Sequence, residues 1–405
     1  MKILVISQYF WPENFKINDL CLGLKERGHE VTVLTGTPNY PKGVFFEGYS
    51  FWKNNDSDWN GIKVYRSKLI PRGNNALSLM LNYLSFPFFS GWRTLFIKEK
   101  FDTVLVYGLS PITVGLPAIV LKKLKKTPYC FWVQDLWPES LTAAGGINNK
   151  FILNFFDGIT RMIYNHSEKV LVQSEGFKSY ITGQGISPDK LLFYPNSTET
   201  FYKPLAVETD YQQKLPKGFT LLFAGNLGEA QSLTTIIEAA QLVKDQGYSM
   251  NWVFLGNGRM KQQLEEEIKN KDLTNEVHLL GAFPSEDMPK FFSCADALIV
   301  SLKKDKIFAL TIPSKIQSYM ACEKPILASL DGEGAKIVVA SNCGFASAAE
   351  DGIALANNAI QLYNLSEEER NDLGKKAGDY FKKEFERDLL LDRLITVLNT
   401  INKNS

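Results

Sequence analysis

The chain reads as an α/β protein of two doubly wound, Rossmann-like domains facing a cleft, and three observations predict this. Short apolar runs of strand character alternate with longer stretches of helical period, the alternation occurs twice, and a Pro- and turn-rich stretch separates the two series. At 405 residues the chain is also long for one hydrophobic core, which favours two.

Taken in order, the first series predicts strands at Ile3–Ser7, Glu30–Thr35, Lys63–Ser67, Thr103–Tyr107, Tyr129–Val133, Lys169–Gln173 and Leu191–Tyr194. The second predicts Thr220–Ala224, Asn251–Leu255, Val277–Leu280, Ala297–Val300, Pro325–Ala328 and Gly344–Ala346. The stretch from Pro195 through Pro204 to Lys217-Gly218 has prolines and turn formers but little periodicity, and reads as a hinge. The expected domains are therefore residues 1–200 and 201–384. A terminal helix, 385–405, is apolar on one face from Leu389 to Ile401 and has the first domain among its packing choices.

Composition narrows the function classes. A 45% hydrophobic and 22% charged content without low-complexity tracts argues against disorder and repeats. Net charge is +1, but residues 1–204 hold 23 Lys and Arg against 16 Asp and Glu, so the first half is basic. A basic half fits anionic lipid, nucleic acid or phosphorylated small molecules, and charge alone does not separate them. The apolar run Ile3–Ile6 is too short for a secretory signal. Five scattered cysteines (Cys21, Cys130, Cys294, Cys322, Cys343) read as buried fillers in a reducing cytoplasm. Three histidines without ligand spacing predict no metal.

The chemistry-bearing motifs lie at strand ends. Phe223-Ala224-Gly225-Asn226-Leu227-Gly228 follows the first strand of the second series, and Gly256-Asn257-Gly258-Arg259 follows the next. Glycine turns there let backbone N–H groups approach phosphate at a helix N-terminus. The spacing is not Gly-x-Gly-x-x-Gly, and Phe10-Trp11-Pro12 stands where the first domain would need glycines, which disfavours a dehydrogenase. A Gly-x-x-x-x-Gly-Lys-Ser/Thr loop is absent from the sequence, so a P-loop nucleotidase has no support.

With Tyr9–Glu13, Arg27-Gly28-His29-Glu30, Pro195-Asn196, both glycine turns, Ala295-Asp296, and Pro313-Ser314-Lys315 running into Met320–Pro325, the chain resembles glycosyltransferase family 4 of the GT-B fold. The stretches Trp132–Ser140, Gln317–Met320 and Asp331–Gly334 are most similar to bacterial O-antigen and capsule N-acetyl-L-fucosamine transferases. The resemblance implies a nucleotide sugar, with uridine as carrier, held by the second domain, while an acceptor approaches the first. It implies Gly225, Asn226 and Gly228 at the diphosphate, Gly256 and Asn257 beside them, and Phe283 near the base. It also implies retention of anomeric configuration, with the UDP-sugar a co-substrate and no cofactor. Two departures stand out: Ser318 replaces a family glutamate at the ribose, and Phe15-Lys16 replaces a glycine pair, leaving Lys16 to supply positive charge.

A diphosphate leaving group carries roughly two negative charges, which cations and dipoles must meet where no metal does. Lys315 beside Ser314 at a helix start is the first candidate, and Arg259 the second; each reads alternatively as a solvated side chain. Asp135, following a strand end, is the candidate base or orienting group for the acceptor hydroxyl, or else a helix N-cap. Glu13, Glu333 and Asp331 are further carboxylates near the sugar. Asp56-Ser57-Asp58 reads as a polar turn before a strand.

Leu77–Ile97 is strongly aromatic but broken by Asn82, Pro87 and Arg93, and basic at its edges, so it reads as interfacial and not spanning. The lysine cluster 122–126 and the segment Phe151–Tyr164 add two further contacts. Together they predict peripheral attachment to the inner membrane surface and a polyprenyl-diphosphate-linked acceptor, with no role for nucleic acid. An epimerase of the same fold and a non-catalytic sugar-nucleotide-binding protein are the alternatives; oligomeric state is not legible.

Overall fold

The computed structural model describes residues 1–53, 55–73, 76–145 and 148–403, so Asn54 of the acidic turn and residues 404–405 of the terminal helix lie outside the described residues. The chain divides into two compact units, Met1–Pro195 with Leu390–Ser405, and Asn196–Leu389. The break falls after Pro195, five positions ahead of the expected 200, because Asn196 is already bound to the second unit: its carbonyl accepts from Gln317 Nε2 at 2.8 Å.

The first unit holds an eight-stranded sheet of β1 (Lys2–Ile6), β2 (Glu30–Gly36), β3 (Ser57–Trp59), β4 (Ile62–Ser67), β5 (Thr103–Gly108), β6 (Tyr129–Val133), β7 (Lys169–Val172) and β8 (Leu191–Phe193), in the order β3-β4-β2-β1-β5-β6-β7-β8. All neighbours are parallel except β3 and β4. Both faces of the central strands are covered, so β1, β5 and β6 can be apolar at successive residues, as parallel strands under helices require.

The turn expected at Asp56-Ser57-Asp58 is instead the start of a hairpin. Asn60 and Gly61 adopt φ of 50° and 70°, the left-handed pair of a two-residue hairpin turn, and β3 pairs antiparallel with β4. Asp56 is held by the Arg66 amide at 2.8 Å and by Arg93, and Asp58 caps the turn at the Gly61 amide, 2.8 Å away. These carboxylates serve the hairpin.

The second unit holds β9 (Thr220–Ala224), β10 (Asn251–Leu255), β11 (Val277–Gly281), β12 (Ala297–Ser301), β13 (Ile326–Ser329) and β14 (Gly344–Ser347), all parallel, in the order β11-β10-β9-β12-β13-β14. The direction of winding reverses between β9 and β12, the place where open α/β sheets leave a crevice at their carboxyl edge.

The last helix, Arg387–Lys403, buries Leu390, Leu391, Leu394, Leu398 and Ile401, one stripe at helical spacing, in the first unit's core beside Ile17, Leu20 and Tyr194. Arg27 Nε meets Asp392 Oδ1 at 2.9 Å on its rim.

Helix Ala76–Phe96 buries Tyr83 and Phe86 but also turns polar side chains inward and large apolar ones outward. Its inward side chains include Asn82, Ser85, Ser90 and Thr94, all buried. Asn82 bridges Gln8 Nε2 at 2.9 Å and the Ile70 carbonyl at 2.7 Å. Outward stand Leu81, Leu84, Phe88, Trp92 and Phe96, with Phe88 68% and Phe96 65% exposed. Helix Lys150–His166 likewise exposes Phe151, Phe155 and Met162 along one stripe. Between these two packs helix Leu116–Lys125, which exposes Leu124. The lysine cluster is less free than its sequence suggests: Lys122 is paired with Glu168 at 2.5 Å, and Lys125 binds the Ile97 carbonyl. Among the described residues no helix is long and apolar enough to cross a membrane.

Candidate active site

The second unit's glycine turns interlock. Gly225 leaves β9 at φ 148° and donates to the Leu255 carbonyl at 2.9 Å, while Leu227 donates to Asn257 O at 2.9 Å. A Cβ on Gly256, at φ 157°, would stand 1.8 Å from the Gly225 carbonyl oxygen, so only glycine lets the turns meet. Gly258 is equally tight against Leu227 O. Part of the glycine signal is therefore packing between two turns.

These turns form one side of a cavity of about 470 Å³, within the ~300–1,000 Å³ usual for small-molecule sites. It opens at the carboxyl ends of β9 and β10, beside the reversal of winding between β9 and β12. Gly225, Asn226, Gly256 and Asn257 supply backbone polarity; Phe283, Met288, Phe292 and Tyr202 supply an apolar wall. Phe283 packs on Phe291 with ring centroids 4.6 Å apart and also lines the cavity. Gly228 lies just beyond the lining, with Asn226 Nδ2 where its Cβ would be.

The opposite wall is the start of helix Ser314–Ala321, entered through Pro313. Ser314, Lys315, Ser318 and Tyr319 line the cavity, and Lys315 is the one charged side chain among the lining residues. Its Nζ donates to Gln231 Oε1 at 2.6 Å and stands 5.0 Å over the Phe223 ring. Burial without a counter-charge pushes its pKa down to about 8. A half-buried ammonium beside glycine amides and a helix N-terminus is suited to an incoming polyanion, which would restore the lost solvation. Ser318, the departure from the family pattern, shares hydrogen bonds with Thr198 Oγ1 at 2.9 Å and the Ser314 carbonyl at 3.2 Å, holding the hinge segment to the cavity wall.

Other expected residues lie elsewhere. Arg259 is exposed at the end of its turn and does not line the cavity. Glu333 is also outside the lining: as first residue of helix Glu333–Ala340 it pairs with Lys336 at 2.7 Å. Asp331 accepts from the Ala349 amide at 3.1 Å, a loop-closing bond.

Lys16, Glu13 and Asp135 belong to the first unit. Lys16 begins helix Lys16–Glu26, following Phe15. Glu13 is 3% exposed and accepts backbone amides from Asn39 (2.8 Å), Tyr40 (2.7 Å) and Phe10 (3.3 Å). Burial nevertheless raises its pKa above the usual carboxylate range. Two amides on Oε1 and one on Oε2 make Glu13 the anchor of the loop after β2.

Asp135 follows β6 and its Oδ2 accepts from the Ser110 amide at 3.1 Å and hydroxyl at 2.8 Å; Oδ1 takes no hydrogen bond among the described residues. The next helix starts at Glu139, and Asp135 reaches away from it to the loop after β5, so it is not a helix cap. Burial raises its pKa against the two Ser110 bonds, which lower it. Trp137 Nε1 donates to Ser110 Oγ at 3.2 Å and fixes that hydroxyl. A desolvated carboxylate with one oxygen held and the other open has the form of a general base.

Three contributors were not visible in the sequence: Gln231, which holds Lys315 from a short 3₁₀ turn; Ser110, which holds Asp135; and Tyr202, which joins the cavity from the hinge. Each depends on a contact between distant segments and carries no local motif.

Residues 16–197 match the glycosyl transferase 4-like domain, and residues 208–379 match glycosyl transferases group 1. The chain is 25% identical over 340 residues to a putative colanic acid biosynthesis glycosyl transferase, WcaI, of Escherichia coli K12, covering 79% of this chain and 81% of the relative. It is 24% identical over 201 residues to the amylovoran biosynthesis glycosyltransferase AmsK of Erwinia amylovora, covering 49% and 48%. Among solved structures, a sucrose-phosphate synthase from Thermosynechococcus elongatus superposes with TM-score 0.74 at 15% identity over 100% of both chains. Anabaena HepE in complex with UDP does so with TM-score 0.70 at 14% identity over 99% of this chain and 100% of that one. With a glycosyl transferase 4-like domain followed by a group 1 domain on two parallel-sheet units, the chain carries the domain pair and the fold of a GT-B glycosyltransferase.

Proposed function

We propose that the protein transfers a glycosyl group from a UDP-sugar to a polyprenyl-diphosphate-linked saccharide in the assembly of a surface polysaccharide such as O-antigen or capsule. The observation that carries this is the second unit's cavity, whose one charged lining group, Lys315, stands over interlocked glycine turns at the reversal of the sheet. That is a site for a diphosphate: amides and ammonium meet the charge that grows on the leaving group, so the reaction proceeds without a metal. Asp135, held by Ser110, takes the acceptor hydroxyl's proton.

The neighbours reported with UDP and the colanic acid and amylovoran relatives support the donor class and the polysaccharide setting. We assign the donor sugar as an N-acetylated deoxyhexose of the N-acetyl-L-fucosamine type, transferred with retention, from the resemblance of Trp132–Ser140 and Gln317–Met320. The exposed apolar stripe of helix Ala76–Phe96 and the exposed Phe151 and Phe155 support peripheral binding to the cytoplasmic face of a membrane, where a lipid-linked acceptor resides.

The test is mass spectrometry of a lipid-linked saccharide incubated with a panel of UDP-sugars. A mass gain of one N-acetyl-deoxyhexosamine is expected. A gain with another sugar overturns the donor assignment, and a donor altered without acceptor shows an epimerase.

A further inference from the structure

A second cavity, of about 610 Å³, lies wholly in the first unit, away from Asp135 and Ser110, and nothing in the proposed transfer uses it. It lies along β4, lined from the strand's end by Arg66, Ser67 and Lys68, from the loop before β3 by Trp52 and Lys53, and from helix Ala76–Phe96 by Phe89, Trp92, Arg93 and Phe96.

Its chemistry is one-sided. Four basic side chains line it and no carboxylate does. Arg66 and Arg93 are spoken for, by the Trp11 carbonyl and by Asp56. Lys68 has no hydrogen bond or ion pair among the described residues; its ammonium rests 5.2 Å from the Phe51 ring centre and 5.0 Å from that of Trp52. Ser67 Oγ is buried in the same wall without a hydrogen-bond partner among the described residues. The other half is aromatic and stays open to solvent: Trp52 is 84% and Trp92 63% exposed. Trp92 and Phe96 also belong to the exposed apolar stripe of that helix, so the cavity continues an exposed apolar surface.

We propose that this cavity binds one anionic phospholipid drawn from the bilayer, its phosphate at Lys68 and the upper part of an acyl chain against Trp92 and Phe96. The inference rests on the membrane-surface reading above and gives it a defined site. An ammonium held only by ring faces keeps its donors for a phosphate. Aromatic side chains with an adjacent lysine match the boundary between headgroups and chains. A zwitterionic headgroup would bring its own cation beside Lys53 and Lys68, and a bare phosphate would leave the aromatic half unused.

The experiment uses the full chain and soluble short-chain lipid below its micelle concentration, so that attachment to a surface is not required. Dihexanoyl phosphatidylglycerol is expected to bind saturably, at least tenfold tighter than dihexanoyl phosphatidylcholine, read by calorimetry. Lys68→Glu and Trp52→Ala are each expected to weaken it at least tenfold; Trp52 is almost fully exposed, so its variant keeps the fold, verified by circular dichroism. Equal binding of the two lipids, unchanged binding in both variants, or full displacement by millimolar inorganic phosphate overturns the proposal. Co-sedimentation with phosphatidylglycerol vesicles, run in parallel, separates the two readings. Vesicle binding without monomer binding removes the cavity and leaves the membrane surface; neither kind of binding removes both.

Discussion

Lys315 donates to Gln231 Oε1 at 2.6 Å from the first turn of its helix, and this neutral contact is the one hydrogen bond its ammonium makes among the described residues. A lysine in a cavity with an amide and a ring for company is costly to keep charged, and that cost is what a diphosphate would relieve. The arrangement ties stability, pH response and activity to one group.

Lys315→Ala is expected to lower turnover at least tenfold, about 1.4 kcal/mol of transition-state stabilisation. Lys315→Met, which keeps apolar contact with Phe223 and removes the desolvated charge, should leave the melting temperature unchanged or higher. The wild-type kcat/KM for donor should fall as pH rises through about 8, because the ammonium loses its proton there. That limb should vanish in Lys315→Met, measured as nucleoside diphosphate release against pH.

The two key glycines separate function from folding. In Gly225→Ala the new methyl meets Lys315 Cε at 2.7 Å, the movable end of a side chain, so donor binding should weaken at least tenfold while the unit stays folded. The left-handed backbone adds about 1–3 kcal/mol of strain. In Gly256→Ala the methyl meets backbone at 1.8 Å, which cannot retreat without parting the turns. Melting should drop by roughly 5 °C or more. Calorimetry of both variants beside donor titration checks the contrast.

In the proposed role Asp135 must be ionised, so activity should fall as pH drops through its raised pKa. Ser110→Ala removes a bond that favours the ionised form, and the acid limb of the kcat profile should move to higher pH. Asp135→Asn should lower kcat by roughly a hundredfold or more. A Ser110→Ala profile superimposed on wild type would show that the hydroxyl does not tune Asp135.

Membrane attachment should depend on the outward face of helix Ala76–Phe96. Phe88→Glu and Trp92→Glu lie on exposed positions and should reduce flotation with anionic vesicles several-fold without shifting the melting temperature. Asn82→Ala, by contrast, deletes a buried bridge to Gln8 and Ile70 and should lower stability by about 1–3 kcal/mol.

The architecture was legible because parallel strands under helices leave short apolar-rich runs, and every strand from Lys2–Ile6 to Gly344–Ser347 except one overlaps a run expected from the sequence. The exception, Ser57–Trp59, is polar because it is an edge strand, and its signal was the Asn60-Gly61 pair that ends it. The cavity was partly legible: glycine spacing pointed to Gly225 and Gly256, and Pro313 to Lys315. The partners of the carboxylates were not. Glu13 and Glu333 look alike in sequence, yet one is taken by three amides and the other by Lys336, and only chain geometry decides which oxygens stay open. For the aromatic helix, periodicity gives a stripe but not its direction; only packing shows that Asn82 and Phe86 turn inward and Phe88 outward.

The most direct test is release of nucleoside diphosphate from UDP-sugars in EDTA, with and without an undecaprenyl-diphosphate-linked saccharide. The account predicts release that requires the acceptor, persists in EDTA and is lost at least tenfold in Lys315→Ala; release abolished by EDTA, or no release with any donor and acceptor, would contradict it.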